Sequence, residues 1–360
     1  MNILILTGKF GTGHLAAAHS LRQQLLRSFS DAAVDVVDFL AYAMPKLSKA
    51  MYKGFHLMVF HGSPIFNTYY KFTSMGRTDA RPPMESLFFN RLSELLCEKK
   101  PDLVLATHPL CAQLVSRFKE KAGSSLPLIT CITDVTAHPE WINRNTDYYL
   151  VPSEEVRQKL AEKGVNPAFV CVTGIPVREE FRKLSHYGTG KKELLIMGGG
   201  LGLLPKDTSF YESLHEIPNT HITIVTGYNE KLLERLHGRW ENIQVVGYAD
   251  KIWEYMARAD LIVTKPGGIT LFEAIFARVP VFSWQPALLQ EKNNARWMEE
   301  KGIGWVAEHA DCAEEIRELI LDENRLLNAM AREGSLQKQM DGEMINKLVG
   351  ILTGTKEAAA

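Results

Sequence analysis

Long apolar runs are missing from the 360 residues. Nothing approaches the ~20 consecutive apolar residues of a membrane-spanning helix, which excludes an integral helical membrane protein. Charge of one sign is missing too: 41 Lys and Arg stand against 42 Asp and Glu, a net −1, so attraction to nucleic acid or a membrane must be local. Cysteine is scarce. Cys97, Cys111, Cys131, Cys171 and Cys312 are scattered, without a CxxC or a Cys/His cluster, which excludes a zinc finger and a disulfide framework and points to buried thiols in a reducing compartment. The short run at Ile3–Leu6 has no basic leader or cleavage site, so no signal peptide is expected and the cytosol is the expected compartment. No internal repeat is visible, and low complexity is confined to Ala358–Ala360.

What is present is an ordinary globular composition, 46% hydrophobic and 23% charged, in a chain long enough for two domains. Short apolar runs alternate with helical stretches, the pattern of an α/β fold with parallel sheets. Strands are expected at Ile3–Leu6, Val34–Val37, Leu103–Ala106, Leu128–Ile132, Tyr148–Val151 and Val170–Val172, with helices over 14–29, 83–99 and 154–163. After a polar, glycine-bearing linker at His186–Lys192 the pattern restarts. Strands are then expected at Leu194–Met197, Ile222–Val225, Ile243–Val246, Leu261–Thr264, Pro280–Ser283 and Trp305–Ala307. The prediction is two doubly wound, Rossmann-like domains, 1–185 and 191–335, facing across a cleft, with ligands beyond the carboxyl ends of the strands.

The most informative stretch is Thr264-Lys265-Pro266-Gly267-Gly268-Ile269-Thr270-Leu271-Phe272-Glu273. A strand ends, glycines turn, and a helix begins near Ile269. Backbone amides at such a helix start, with the helix dipole, can hold a diphosphate without a metal. Thr270 adds a hydroxyl, and Glu273 can accept from ribose hydroxyls. A glycine turn alone would be an ordinary β–α connection, but its surroundings favour a site. Downstream, Gln290-Glu291 offers acceptors suited to a sugar, and upstream Met197-Gly198-Gly199-Gly200-Leu201-Gly202 is a second close-approach turn. The dinucleotide fingerprint G-x-G-x-x-G and a Walker A motif are both absent.

In the first half, His14 follows the Gly11-Thr12-Gly13 turn where a helix begins, placed either to cap or to act on a ligand. Asp134 and His138 follow another strand and are expected to line the cleft; Asp134 could orient His14, act as a base or cap a turn, and Trp141 reads as packing. The segment Met44–Arg91 mixes aromatics with seven basic and two acidic residues. Such a segment suits docking on anionic lipid, or a helical insertion with its aromatics turned inward.

Taken together, Gly11-Thr12-Gly13-His14, Thr133-Asp134 with His138 and Trp141, Gly174-Ile175-Pro176-Val177, Met197-Gly198-Gly199-Gly200, Lys265–Thr270 and Gln290-Glu291 resemble the monogalactosyldiacylglycerol synthase and processive diacylglycerol glucosyltransferase family over nearly the whole chain. The resemblance implies a GT-B fold, UDP-glucose or UDP-galactose as donor, no cofactor, inversion at the anomeric carbon, and diacylglycerol as acceptor at the cytosolic membrane face. It implies His14 as catalytic base with Asp134 beside it, and Gly13 and His138 on the acceptor side. On the donor side it implies Gly199, Gly200, Gly267, Gly268, Ile269 and Thr270 at the diphosphate, Tyr248 at the uracil, Glu273 at the ribose, and Gln290 and Glu291 at the sugar. A last helix within 336–360 should return to the first domain. Two departures stand out: Thr12 within the first glycine loop, and Pro286-Ala287-Leu288-Leu289 where the family carries a Pro-Gly turn. A transferase for another lipid-linked or dissolved acceptor, and a UDP-sugar sensor without turnover, are the rival readings.

Overall fold

A computed structural model describes residues 1–11, 13–61, 63–74, 76, 78–79, 84–184 and 190–355. Thr12, Pro83, most of the expected linker and the Ala358–Ala360 tail therefore lie outside the described residues. The chain divides into two compact units, one of Met1–Glu179 with Gln339–Ala360 and one of Glu180–Lys338.

The first unit carries a parallel sheet of β1 (Asn2–Thr7), β2 (Ala33–Asp38), β3 (Leu103–Ala106), β4 (Leu128–Cys131), β5 (Tyr148–Val151) and β6 (Val170–Val172), in the order β2-β1-β3-β4-β5-β6. Buried parallel strands have apolar residues on both faces, which is why they read as unbroken runs. Alternation then sorts them. Leu4, Leu6, Val104 and Ala106 enter one core with Leu92, Leu95 and Leu114; Ile3, Ile5, Leu103 and Leu105 enter the other with Leu21, Leu25 and Ile129. The register pairs Ile3 with Leu103 and Leu4 with Val104. The C-terminal helix Met344–Thr353 lays Ile345, Leu348 and Val349 into this second core, an i, i+3, i+4 stripe.

The second unit repeats the plan with β7 (Lys192–Met197), β8 (Thr220–Val225), β9 (Ile243–Val246), β10 (Leu261–Thr264), β11 (Val281–Ser283) and β12 (Gly304–Val306), in the order β12-β11-β10-β7-β8-β9. The α/β doubly wound expectation holds for both units. Element ends differ from those expected by one or two residues: the first helix is Gly13–Ser28, Ile132 lies past β4, and the last strand starts at Gly304. Described residues of the expected 83–99 helix are helical from Glu85 to Lys99. In each sheet the chain reverses its direction of winding once, between β1 and β3 and between β7 and β10. Loops beyond the carboxyl ends at such points form crevices.

Within the basic, aromatic segment lie the helices Ser48–His61 and Ser63–Ser74 and the start of the helix Glu85–Lys99. Phe66 is buried, and Tyr52 packs edge-on against Phe10 at 5.0 Å. Leu57, Ile65 and Phe72 face solvent, Phe72 at 80% exposure, together with Lys46, Lys49, Lys53 and Lys71. Among the described residues no helix is long and apolar enough to cross a membrane.

Candidate active site

At the first switch point the loop after β1 leads into the helix Gly13–Ser28, whose first two residues are Gly13 and His14. His14 is half-buried, and its Nδ1 lies 2.9 Å from the Thr107 carbonyl and 2.8 Å from the Thr133 hydroxyl. A carbonyl only accepts, so Nδ1 carries the proton and Nε2 of the neutral ring keeps its lone pair. Thr107 follows β3 and is fully buried; its hydroxyl donates to the His14 carbonyl at 3.0 Å. Burial lowers the His14 pKa below its usual 6.5, with the Asp134 charge and the Thr107 bond opposing. The ring is therefore neutral and able to accept a proton at pH 7.

Asp134, 9% exposed, follows β4; burial lowers the pKa of both His14 and His138, and the Asp134 charge opposes that in each. His138 is buried. Its Nδ1 accepts from the Glu140 amide at 3.4 Å, its Nε2 lies 3.3 Å from the Thr73 hydroxyl, and the Tyr70 ring packs on it at 4.7 Å. The residue thus joins the Asp134–Trp141 loop to the helix Ser63–Ser74. Trp141 is buried, with its ring 6.1 Å from that of His14. Sequence reasoning missed His108. Its ring meets His14 edge-on at 4.7 Å, its Nδ1 accepts from the Leu110 amide, and burial, then His14, push its pKa well below 6.5.

At the second switch point the glycine turn after β7 meets the loop after β10. The helix Gly268–Ala277 starts behind Gly267 without a side-chain cap. Its first intrahelical bond runs from the Leu271 amide to the Gly267 carbonyl, so the amides of Gly268, Ile269 and Thr270 precede the ladder. Glu273 lies half-buried in the second turn. Lys265, part of the motif but given no role from the sequence, extends its Nζ to within 3.0 Å of the Glu291 carboxylate. Its side chain also borders Gly199. Glu291 and Gln290 occupy the first turn of the helix Leu289–Lys301. From the same helix the buried Asn294 donates to the Pro266 carbonyl at 3.0 Å, which fixes the loop. Gly199 and Gly200 form the turn; beside it Gly202 has φ +61°, and a Cβ there would lie 2.1 Å from the Thr226 carbonyl. Tyr248 is stacked on Tyr228. Free amides, a helix dipole and a lysine make an anion site suited to a diphosphate.

The first unit matches the family model for monogalactosyldiacylglycerol (MGDG) synthase over residues 14–177, and the second matches the glycosyltransferase family 28 C-terminal domain over 194–344. The chain is 31% identical to the processive diacylglycerol beta-glucosyltransferase of Bacillus subtilis (strain 168), covering 90% of this chain and 88% of that protein. The same-named protein of Bacillus licheniformis is 30% identical, covering 96% and 93%. The chain belongs to the family of monogalactosyldiacylglycerol synthases and processive diacylglycerol glucosyltransferases. Solved structures agree on the fold at lower identity. The glycotransferase of kitacinnamycin superposes with a TM-score of 0.64 at 14% identity, covering 98% of this chain and 99% of that one. Acinetobacter baumannii MurG does so with 0.63 at 13%, also covering 98% and 99%. As a member of this glycosyltransferase family the protein has the GT-B architecture, and one strand switch point falls in each of its two units.

Proposed function

We propose that the protein moves a hexose, with inversion, from a UDP-sugar to diacylglycerol at the cytosolic face of a membrane, and that the hexose is glucose. The observation that carries this reading is the match to two proteins named processive diacylglycerol beta-glucosyltransferase, which spans both units. Each unit supplies a group that this chemistry needs. The acceptor hydroxyl attacks the anomeric carbon from the face opposite UDP; the new C–O bond forms as the bond to the β-phosphate breaks. His14 Nε2 takes the hydroxyl proton, and Asp134 stabilises the imidazolium. The amides of Gly268, Ile269 and Thr270, with Lys265, take the charge that develops on the leaving diphosphate, which supports a reaction without a metal. Glu273 accepts from the ribose, Gln290 and Glu291 from the sugar, and Gly199 and Gly200 line the diphosphate. Gly13 and His138 shape the acceptor side, His138 by holding the helix Ser63–Ser74, whose solvent-facing Ile65 and Phe72 meet an anionic membrane surface.

The test is UDP release from a panel of UDP-sugars, with and without diacylglycerol in anionic liposomes. Diacylglycerol-dependent release with UDP-glucose is expected. Release with UDP-galactose alone would replace the hexose; UDP binding without release from any sugar would overturn the acceptor reading.

A further inference from the structure

The loop Gly8–Gly11, which leads from β1 towards His14, lies outside strand and helix, and a side chain from a distant helix holds it. Tyr52, on the helix Ser48–His61, accepts from the Lys9 amide at 3.2 Å and donates to the Asp38 carboxylate at 2.5 Å. Asp38 ends β2 opposite Thr7, the last residue of β1, and the same carboxylate oxygen accepts from the Ala41 amide. Burial, then the bond to Asp38, raises the Tyr52 pKa, so the phenol stays protonated and keeps both bonds at neutral pH. The Tyr52 ring acts as well. Phe10 meets it edge-on at 5.0 Å and meets Phe55, one turn along the same helix, at 5.2 Å. Phe10 also packs on His108 at 5.3 Å, and His108 meets His14 at 4.7 Å. A Cβ on Gly8 would lie 3.3 Å from the His108 ring, so the loop backbone itself abuts that ring. A path of contacts therefore runs from Tyr52, through the loop and His108, to His14.

We propose that Tyr52 is a positioning residue for His14: its hydroxyl anchors the Lys9 amide, its ring backs Phe10, and together they hold the loop against the His108–His14 pair. This rests on the reading of His14 as the group that takes the acceptor proton. Thr107 and Thr133 fix which nitrogen of His14 is free; Tyr52 fixes the loop that shields the ring. Phenylalanine at this position keeps the packing and loses the anchor. A loosened loop admits water to His14. Burial is what lowers the His14 pKa, against the Asp134 charge and the Thr107 bond, while His108 beside it is neutral because its own pKa lies well below 6.5. Water at the ring relieves the burial, so the His14 pKa rises when the anchor is lost.

The experiment compares the full-length wild type with Tyr52→Phe, by NMR titration of the His14 imidazole and by transfer kinetics. The His14 pKa is expected to rise towards 6.5 in Tyr52→Phe, and the acid limb of kcat/KM to follow it to higher pH. The kcat should fall about tenfold, less than the roughly 10²-fold that a 1 Å misplacement can cost, with KM for the UDP-sugar unchanged. On a His14→Ala background Tyr52→Phe should cost nothing further, because it acts through His14. An unchanged His14 titration overturns the proposal, whether or not the protein transfers sugar. Equal losses with and without His14, or a raised KM in place of a lowered kcat, make Tyr52 part of the general packing and overturn it too. A shifted titration in a protein that releases no UDP from any sugar upholds the anchor and overturns the reading of His14 as the base.

Discussion

His14 is held by atoms 93 and 119 residues further along the chain, and that is where its chemistry is decided. With Nδ1 committed to Thr107 and Thr133, only Nε2 can take a proton. His14→Ala should reduce transfer about 10²–10⁴-fold, the usual contribution of a general base, with UDP affinity nearly intact by calorimetry. Because burial holds the His14 pKa below 6.5, the acid limb of the kcat/KM profile should lie below pH 6.5. The Asp134 charge raises that pKa, so Asp134→Asn should move the limb to still lower pH; loss of transfer at every pH would make Asp134 the base instead. A second residue titrates for structural reasons. Glu333 is fully buried with neither carboxyl oxygen hydrogen-bonded, and burial raises its pKa well above 4.5 despite Arg278. The folded state thus keeps a proton that the unfolded state releases above about pH 4.5, and stability falls as pH rises from there. Glu333→Gln removes the titration. It should raise Tm more at pH 8 than at pH 5, by about 2–4 °C for each kcal/mol recovered.

At the scale of elements, the helix Met344–Thr353 shows how a short segment at the far end of the sequence completes the first core. Leu348 is buried against β1 and β3 residues, whereas Ile351, one turn on, is 70% exposed. Leu348→Ala should cost about 2–5 kcal/mol in urea unfolding, and Ile351→Ala within about 0.5 kcal/mol of nothing. The same contrast explains what could be read from the sequence. Strands such as Leu103–Ala106 were legible because burial on both faces leaves an unbroken apolar run. The helices Ser48–His61 and Ser63–Ser74 were legible only as a helical insertion without bounds, because Tyr52 and Phe66 point inward while Leu57 and Phe72 point outward, which blurs the 3.6-residue period. The glycine turns announced His14 and the Gly268 helix start. Their partners did not show: Thr107 and His108 follow an ordinary strand, and Lys265 meets Glu291 only after 26 residues have folded back.

For the whole molecule, the net charge of −1 gives no general attraction to an anionic surface, so any membrane affinity must come from one face. Lys46, Lys49, Lys53 and Lys71 are exposed along the segment that also exposes Leu57, Ile65 and Phe72. Each lysine near an anionic surface contributes about 1 kcal/mol, and each inserted apolar side chain about 1.5–3 kcal/mol. The first contribution is screened by salt, with a Debye length of about 3 Å at 1 M; the second is not. The protein should therefore sediment with phosphatidylglycerol vesicles at low salt, and only in part at 1 M. Ile65→Ser with Phe72→Ser should reduce sedimentation at least tenfold in both salts while leaving UDP affinity unchanged, since the donor residues belong to the other unit. Unchanged sedimentation of that double variant would move the docking face away from these two helices, and uniform salt sensitivity would reduce it to charge alone.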